Sequence, residues 1–330
     1  MESITHSFLI RFKETAMAPK TKKMIITPID GSKESLRALS YLNLYFKAEP
    51  NLKVVLLYIL PSLPPMLVDE CKKDPAAARK LKELEKKNSL MAEQILEEAK
   101  TKLAGKGFDA GRIETVYRTK ENETAHDICW WAASRHSDAI VLNTRSRSRL
   151  EAFFMGETAR KVLEFAKACP VWLIKGSVKS RKVLIAMDGS DSALRAVEHA
   201  GFILAGTDCS ITLFHSKRKL ERFLPKELLE GAAELEELWK NAAATDIAPT
   251  LERAQKLLLE RGVASDRVST KIIEGSRSAA ADILKAARKG EFGTIVMGRK
   301  GVTADKDSNL GSITRKVVQD FTDMAVWVVR

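Results

Sequence analysis

Residues 293–314 hold the side chains and spacings best suited to chemistry in this chain: Gly-Thr-Ile-Val-Met-Gly-Arg-Lys-Gly-Val-Thr-Ala-Asp-Lys-Asp-Ser-Asn-Leu-Gly-Ser-Ile-Thr. A short apolar run ends at Gly298, Gly301 follows, and after nine residues Gly311-Ser312 opens a helical pattern. Glycine lets a backbone turn sharply and approach a ligand with no Cβ in the way. A helix that starts at Gly311-Ser312 presents N–H groups without intrahelical acceptors, plus a hydroxyl, where the helix dipole favours an anion. That chemistry suits phosphate. Glycines after a strand also serve simply as turns, and spacing alone leaves that reading open. Neither Gly-x4-Gly-Lys-Ser/Thr nor a Gly-x-Gly-x2-Gly after the first strand is present.

The elements that must position this loop occur twice. Met24-Ile-Ile-Thr-Pro-Ile-Asp30-Gly-Ser32 recurs as Lys182-Val-Leu-Ile-Ala-Met-Asp188-Gly-Ser190, with Asp188 lying 158 residues after Asp30. Further along, Gly107, Arg112 and Asp127-Ile128 match Gly262, Arg267 and Asp282-Ile283 at an offset of 155, as Val171-Trp172 matches Val326-Trp327. Such self-similarity signals a duplicated fold, with a join near residues 176–179. Each copy alternates apolar runs of strand length with helical patterns. Strands are expected at 24–29, 54–60, 113–118, 139–142 and 171–174 in the first copy, and at 183–187, 210–215, 268–273, 294–297 and 326–329 in the second. The Lys-, Glu- and Leu-rich stretch 76–102 reads as one long helix whose Leu81, Leu84, Ile95, Ala99 and Leu103 face a core. Strands separated by helices imply parallel pairing with helices on both faces of the sheet.

The pattern Gly-x2-Gly-x9-Gly-Ser, together with Asp30-Gly-Ser and Asp188-Gly-Ser, resembles the universal stress protein family in tandem form, over nearly the whole chain from about Lys22. The resemblance implies two doubly wound α/β domains, residues 22–176 and 180–330, after an N-terminal extension at 1–21. Each would have a five-stranded, mainly parallel sheet of order 3-2-1-4-5. That order sets the first and fourth strands side by side where ligands bind, at the reversal of strand order. It also implies ATP, accompanied by Mg²⁺, in the second copy. There Asp188, in the stretch from Ala186, would lie at the nucleoside end, and the backbone of Ser216 would meet adenine. Gly298 would abut the ribose and first phosphate while Gly301 keeps the loop close. Gly311, Ser312 and Ile313 would offer amides to the outer phosphates, and Ser312 and Thr314 hydroxyls. Asp188 or Ser190 serves equally as a cap for the helix that follows. Arg299 and Lys300 either neutralise phosphate or face solvent, and Asp305 and Asp307 either approach a phosphate-bound cation or are plain loop polarity. His215 reads as a packed residue at a strand end.

The first copy departs from the pattern, with Asn143, Ser146, Gly156 and Glu157 standing where the second has Gly298, Gly301, Gly311 and Ser312. Glu157 puts a negative charge at the helix start that would receive phosphate, where its carboxylate can also satisfy the helix N–H groups. Arg145, Arg147 and Arg149 compensate in part. The first copy is expected not to bind ATP in the family's manner.

Bulk properties narrow the remaining choices. The chain has 330 residues, 45% apolar and 30% charged, enough for two ordinary cores. No apolar run approaches the roughly 18–20 residues of a membrane span, and no signal-peptide pattern precedes residue 20. Cys71, Cys129, Cys169 and Cys209 form no CxxC pair, as expected of reduced thiols in the cytoplasm. The net charge of +12 permits contact with nucleic acid, yet the basic residues alternate with acids, as in Lys80-Leu-Lys-Glu-Leu-Glu-Lys-Lys87, and read as solvated helix faces. The resemblance implies a stress-response regulator with a protein partner, its last strands pairing the copies as an intrachain pseudo-dimer or two chains as a homodimer. No Ser-His-Asp or metal-ligand motif calls for catalysis, beyond slow ATP hydrolysis. A ligand-free interaction scaffold is the alternative. An adenylating enzyme fits less well, because Asp188-Gly-Ser190 is not a Ser-Gly-Gly-x-Asp-Ser pyrophosphate loop.

Overall fold

The computed structural model describes residues 22–144, 156–217, 247–274, 278–302 and 309–330, with residues 234, 237 and 238 besides. Five strands of the first half are β1 (Lys23–Pro28), β2 (Leu52–Leu60), β3 (Ile113–Thr119), β4 (Ala139–Asn143) and β5 (Val171–Lys175). Their counterparts are β6 (Lys182–Ala186), β7 (Ser210–Lys217), β8 (Val268–Glu274), β9 (Thr294–Gly298) and β10 (Met324–Val329). All ten lie in one sheet of order β3-β2-β1-β4-β5-β10-β9-β6-β7-β8. Each half therefore has the order 3-2-1-4-5. Every pairing is parallel except β5 with β10, which run antiparallel with Trp172 opposite Trp327. The two last strands do pair within the chain, and an approximate two-fold axis passes through that seam.

The helices in chain order are α1 (Arg37–Phe46), α2 (Pro65–Lys73), α3 (Pro75–Ala104), α4 (Thr124–Ser134), α5 (Glu157–Phe165), α6 (Asp191–Leu204), α7 (Ile247–Glu260), α8 (Ala279–Lys289) and α9 (Ser312–Asp320). Strands buried on both faces read as continuous apolar runs, as Val54–Leu57 does, and successive residues enter opposite cores. Ile25, Val54, Leu56, Trp172 and Ile185 join α1, α3, α6 and α7 in one core, while Ile26, Val55, Leu57, Leu173 and Leu184 join α4, α5, α8 and α9 in the other. Both cores run through both halves.

The long helix, α3, starts where expected, with Asp74 capping it by accepting from the Ala76 amide at 2.8 Å. A short α2 that was not expected precedes it, opened by Pro64-Pro65. Only Ala92, Leu96, Ala99 and Leu103 of α3 are buried, and Leu84 is exposed rather than facing a core. The early turns of α3 carry their leucines past the surface that the sheet covers.

The seam is a polar network inside an aromatic cluster. Trp172 and Trp327 stack with ring centroids 3.8 Å apart and planes 4° from parallel. The Trp172 indole donates to His199 Nε2 at 3.2 Å, and the Trp327 indole donates to the Tyr41 hydroxyl at 2.9 Å. His199 follows Tyr41 by 158 residues, so the two bonds are related by the repeat. Helix ends are capped across the seam in the same paired way. Lys23 donates to the carbonyls of Ile203 and Ala205 at the end of α6, and Arg181 to that of Tyr45 at the end of α1.

Candidate functional site

The chemistry expected of the second copy depends on two loops meeting, and they meet because β6 pairs with β9, aligning Val183 with Thr294 and Ile185 with Val296. Beyond the carboxyl ends of these strands, the turn after Ala186 faces the loop after Gly298. The Asp188 carboxylate holds both. Its Oδ1 accepts from the Ser190 amide at 3.1 Å and the Ser190 hydroxyl at 2.6 Å, while Oδ2 accepts from the Val302 amide at 3.3 Å. Ser190 then caps α6, accepting from the Ala193 amide at 3.1 Å. Of the two capping candidates, Ser190 is the cap and Asp188 is the clasp. Asp30 and Ser32 form the same turn in the first half.

The glycines answer to protein packing first. A Cβ on Gly298 would lie 2.6 Å from Ser192 Oγ and 2.7 Å from the Ser192 carbonyl carbon. One on Gly301 would collide with Asp188 Oδ2. The close approach that demands glycine is thus made by the start of α6 and the Asp188 carboxylate. Gly311 is under less constraint, with its nearest neighbours 3.4 Å from a Cβ.

The end of the loop offers fewer donors than the sequence suggests. The Gly311 amide donates to the Arg299 carbonyl at 2.9 Å, which closes the loop on itself. Thr314 is buried, and its hydroxyl donates to the Gly298 carbonyl at 2.9 Å. Both residues shape the loop and are turned to the protein. Ser312 is exposed and Ile313 half-buried at the first turn of α9. Their amides have no acceptor among the described residues, as the start of a helix dictates. These two N–H groups and the Ser312 hydroxyl are what remains to meet an anion.

At the far side of the turn, the Ser216 hydroxyl donates to the buried Asp282 at 2.7 Å, while His215 Nδ1 donates to the Met187 carbonyl at 2.8 Å. His215 is packed, as expected. Ser192 and Asp282 shape the site without having been singled out. Asp282 had a signal, since it repeats Asp127, whose carboxylate accepts from the Glu121 and Asn122 amides; Ser192 had none.

Arg299 neither faces solvent nor lies free beside the loop. Its guanidinium is buried against the end of α5 in the other half, donating to the carbonyls of Leu163, Glu164 and Ala166, and its Nε donates to Asn309 at 2.7 Å. Burial, and then the nearby Arg330, push its pKa below the usual value. Asp305 and Asp307 lie outside the described residues, as do Ser146, Arg145, Arg147 and Arg149. Among the described residues no cluster of His, Cys, Asp or Glu is arranged for a metal ion.

In the first half, Asn143 stands at the end of β4 where β9 has Gly298, and its Oδ1 is buried without a hydrogen-bond partner. Glu157 opens α5, whose N-cap, Gly156, has no side chain to cap it. Contrary to expectation, its carboxylate pairs with Lys161 one turn on at 2.7 Å, and Lys161 also binds Glu123. The Lys161 hydrogen bond and charge hold the Glu157 pKa below its ordinary value. A carboxylate occupies this exposed helix start at neutral pH.

A sequence model of the Universal stress protein family matches residues 22–175 and again 179–330. The Bacillus subtilis universal stress protein YxiE is 27% identical over 153 residues, which are 45% of this chain and 98% of that protein. Among solved structures, a universal stress protein from Archaeoglobus fulgidus aligns with a TM-score of 0.64 at 20% identity, covering 93% of this chain and 98% of that one. A functionally unknown protein from Pseudomonas aeruginosa aligns at 0.52 and 19% identity, with 94% and 93% covered. At these identities the structures establish shared fold alone. The double match over almost the entire chain establishes membership: the chain belongs to the universal stress protein family, with two family domains in tandem.

Proposed function

We propose that this protein is a nucleotide-responsive regulator that takes ATP in the crevice of its second half and reports the occupied state to a protein partner. The observation that carries the reading is the exposed start of α9, where the amides of Ser312 and Ile313 have no acceptor among the described residues, beside a loop clasped to Asp188. A polyphosphate meets donors and a favourable dipole there. Asp188 has lone pairs left for ribose hydroxyls, and the Ser216 backbone is the candidate contact for the base. A divalent ion would arrive bound to the phosphates, which fits the lack of a metal-ligating cluster among the described residues. Hydrolysis is no part of the proposal. The four free cysteines suit a reducing compartment such as the cytoplasm. No helix among the described residues is long and apolar enough to cross a membrane.

One test follows from the difference between the halves. Ser312→Glu places on α9 the residue that stands at Glu157 on α5. A carboxylate at an exposed helix start leaves stability unchanged or slightly raised, but repels a triphosphate. Isothermal titration should show ATP binding in the parent protein and at least about tenfold weaker binding in the variant, at an unchanged melting temperature. Equal affinities would sink the assignment of the phosphate seat.

A second reading has its own observation. Ser192 and Asp188 account for Gly298 and Gly301 without any ligand, as they would in an interaction scaffold that binds no nucleotide. Millimolar ATP separates the two: it raises the melting temperature of a nucleotide-binding protein and leaves that of a scaffold where it was.

A further inference from the structure

Several contacts across the seam come in repeat-related pairs. Trp172–His199 matches Trp327–Tyr41, and Lys23 on the end of α6 matches Arg181 on the end of α1. Arg299 on the end of α5 has no such mate. The corresponding residue of the first half is Thr144, whose amide and hydroxyl both donate to the Ile174 carbonyl of neighbouring β5. The end of α9, where a mate would act, is held from its own half by Arg288, which donates to the Asp320 carbonyl at 3.0 Å.

Arg299 also grips the loop at two points and β10 at a third. Its amide donates to Val329 at 2.5 Å, its carbonyl accepts from Gly311 at 2.9 Å, and its Nε donates to Asn309 at 2.7 Å. The remaining guanidinium nitrogens reach the carbonyls of Leu163, Glu164 and Ala166. Those carbonyls are the electronegative end of α5, and a buried cation there is stabilised by the dipole and by hydrogen bonds that replace its lost water. Arg330 adds a bond to the Lys167 carbonyl just beyond, and its own carbonyl accepts from Arg195 of α6 at 2.7 Å.

We infer that Arg299 is a positioning residue: it fastens the glycine loop of the second half to the end of α5 in the first, so that loop and helix hold or open together. The half that has lost the loop signature thereby supports the half that keeps it. This deepens the ATP-binding reading and rests on it only for its ligand arm, because the fastening exists in the unliganded protein.

Hydrogen exchange on the full chain tests it without nucleotide. In Arg299→Ala, amides of 163–168 and the Gly311 amide of the loop segment should both exchange about tenfold faster or more, since each loses a charge-assisted anchor, while β6 and β7 keep their protection. Millimolar guanidinium ion, which fits the vacated space, should restore both segments together; a general loss of packing would not respond. If Arg299→Ala fails to fold, Arg299→Lys retains the charge and fewer bonds, and must show the same joint effect at smaller size. Faster exchange at only one of the two segments, or at neither, overturns the inference. With ATP present, the parent protein should bind at least about tenfold more tightly than Arg299→Ala, and guanidinium should recover the difference. If the parent binds no ATP, the nucleotide reading fails while the fastening stands or falls by exchange alone; equal affinities in parent and variant would overturn the fastening.

Discussion

Gly298 and Gly311 belong to one motif, yet a methyl group would find different surroundings at each. At Gly298 it would press into the Ser192 backbone at 2.7–2.8 Å; at Gly311 it would sit at ordinary contact distance. Backbone cannot yield as a flexible side-chain end can, and overpacking of this kind costs about 1–3 kcal/mol. Gly298→Ala should therefore lower the unfolding free energy by an amount in that range, read as a lower urea midpoint, while Gly311→Ala should stay within about 0.5 kcal/mol of the parent. A midpoint for Gly298→Ala as high as the parent's would mean the start of α6 is not fixed against β9. The spacing of these glycines was legible in the sequence; what presses against them was not. Ser192 is far away along the chain and carries no pattern of its own. Arg299 shows the same limit, because a basic residue on a short loop looks the same in sequence whether it meets phosphate, water or the end of another helix.

At the scale of elements, the seam holds a titratable group. Trp172 donates to His199 Nε2, so the ring proton resides on Nδ1 and the imidazole is neutral. Burial pushes the His199 pKa down from 6.5 to about 3. Between those values the unfolded chain binds a proton that the folded chain refuses. Stability contributed by the neutral ring is complete above about pH 6.5 and declines as pH falls toward 3, by at most about 1.4 kcal/mol per pH unit. Chemical denaturation at pH 7 and pH 5 should show a larger loss for the parent than for His199→Gln, which keeps an acceptor for the indole and cannot titrate. Identical losses would remove His199 from the pH response. Most elements were legible from periodicity, and the strands expected at 139–142 and 171–174 stand as β4, Ala139–Asn143, and β5, Val171–Lys175. The short α2 was missed because none of its nine residues is buried, so it has no apolar face to read, and its start signal, Pro64-Pro65, is local. Periodicity reports a helical face and not what, if anything, covers it, hence the exposed Leu84.

Across the whole molecule, the ten strands form one hydrogen-bonded sheet and both cores extend through both halves. Neither half has a boundary at which unfolding can stop without baring Trp172 and Trp327. Differential scanning calorimetry should accordingly give one transition whose calorimetric and van't Hoff enthalpies agree; two resolved transitions would show that the seam does not couple the halves. The antiparallel join of β5 to β10 has a further effect. Two separate polypeptides meeting there would part on dilution, and if identical would present matching seats on either side. Covalent continuity removes both conditions. The ratio of helix starts bearing Ser312 to those bearing Glu157 is set at one to one when the chain is made, and no change in abundance alters it. Every copy of the chain is therefore the same lopsided particle, with a single direction built into it.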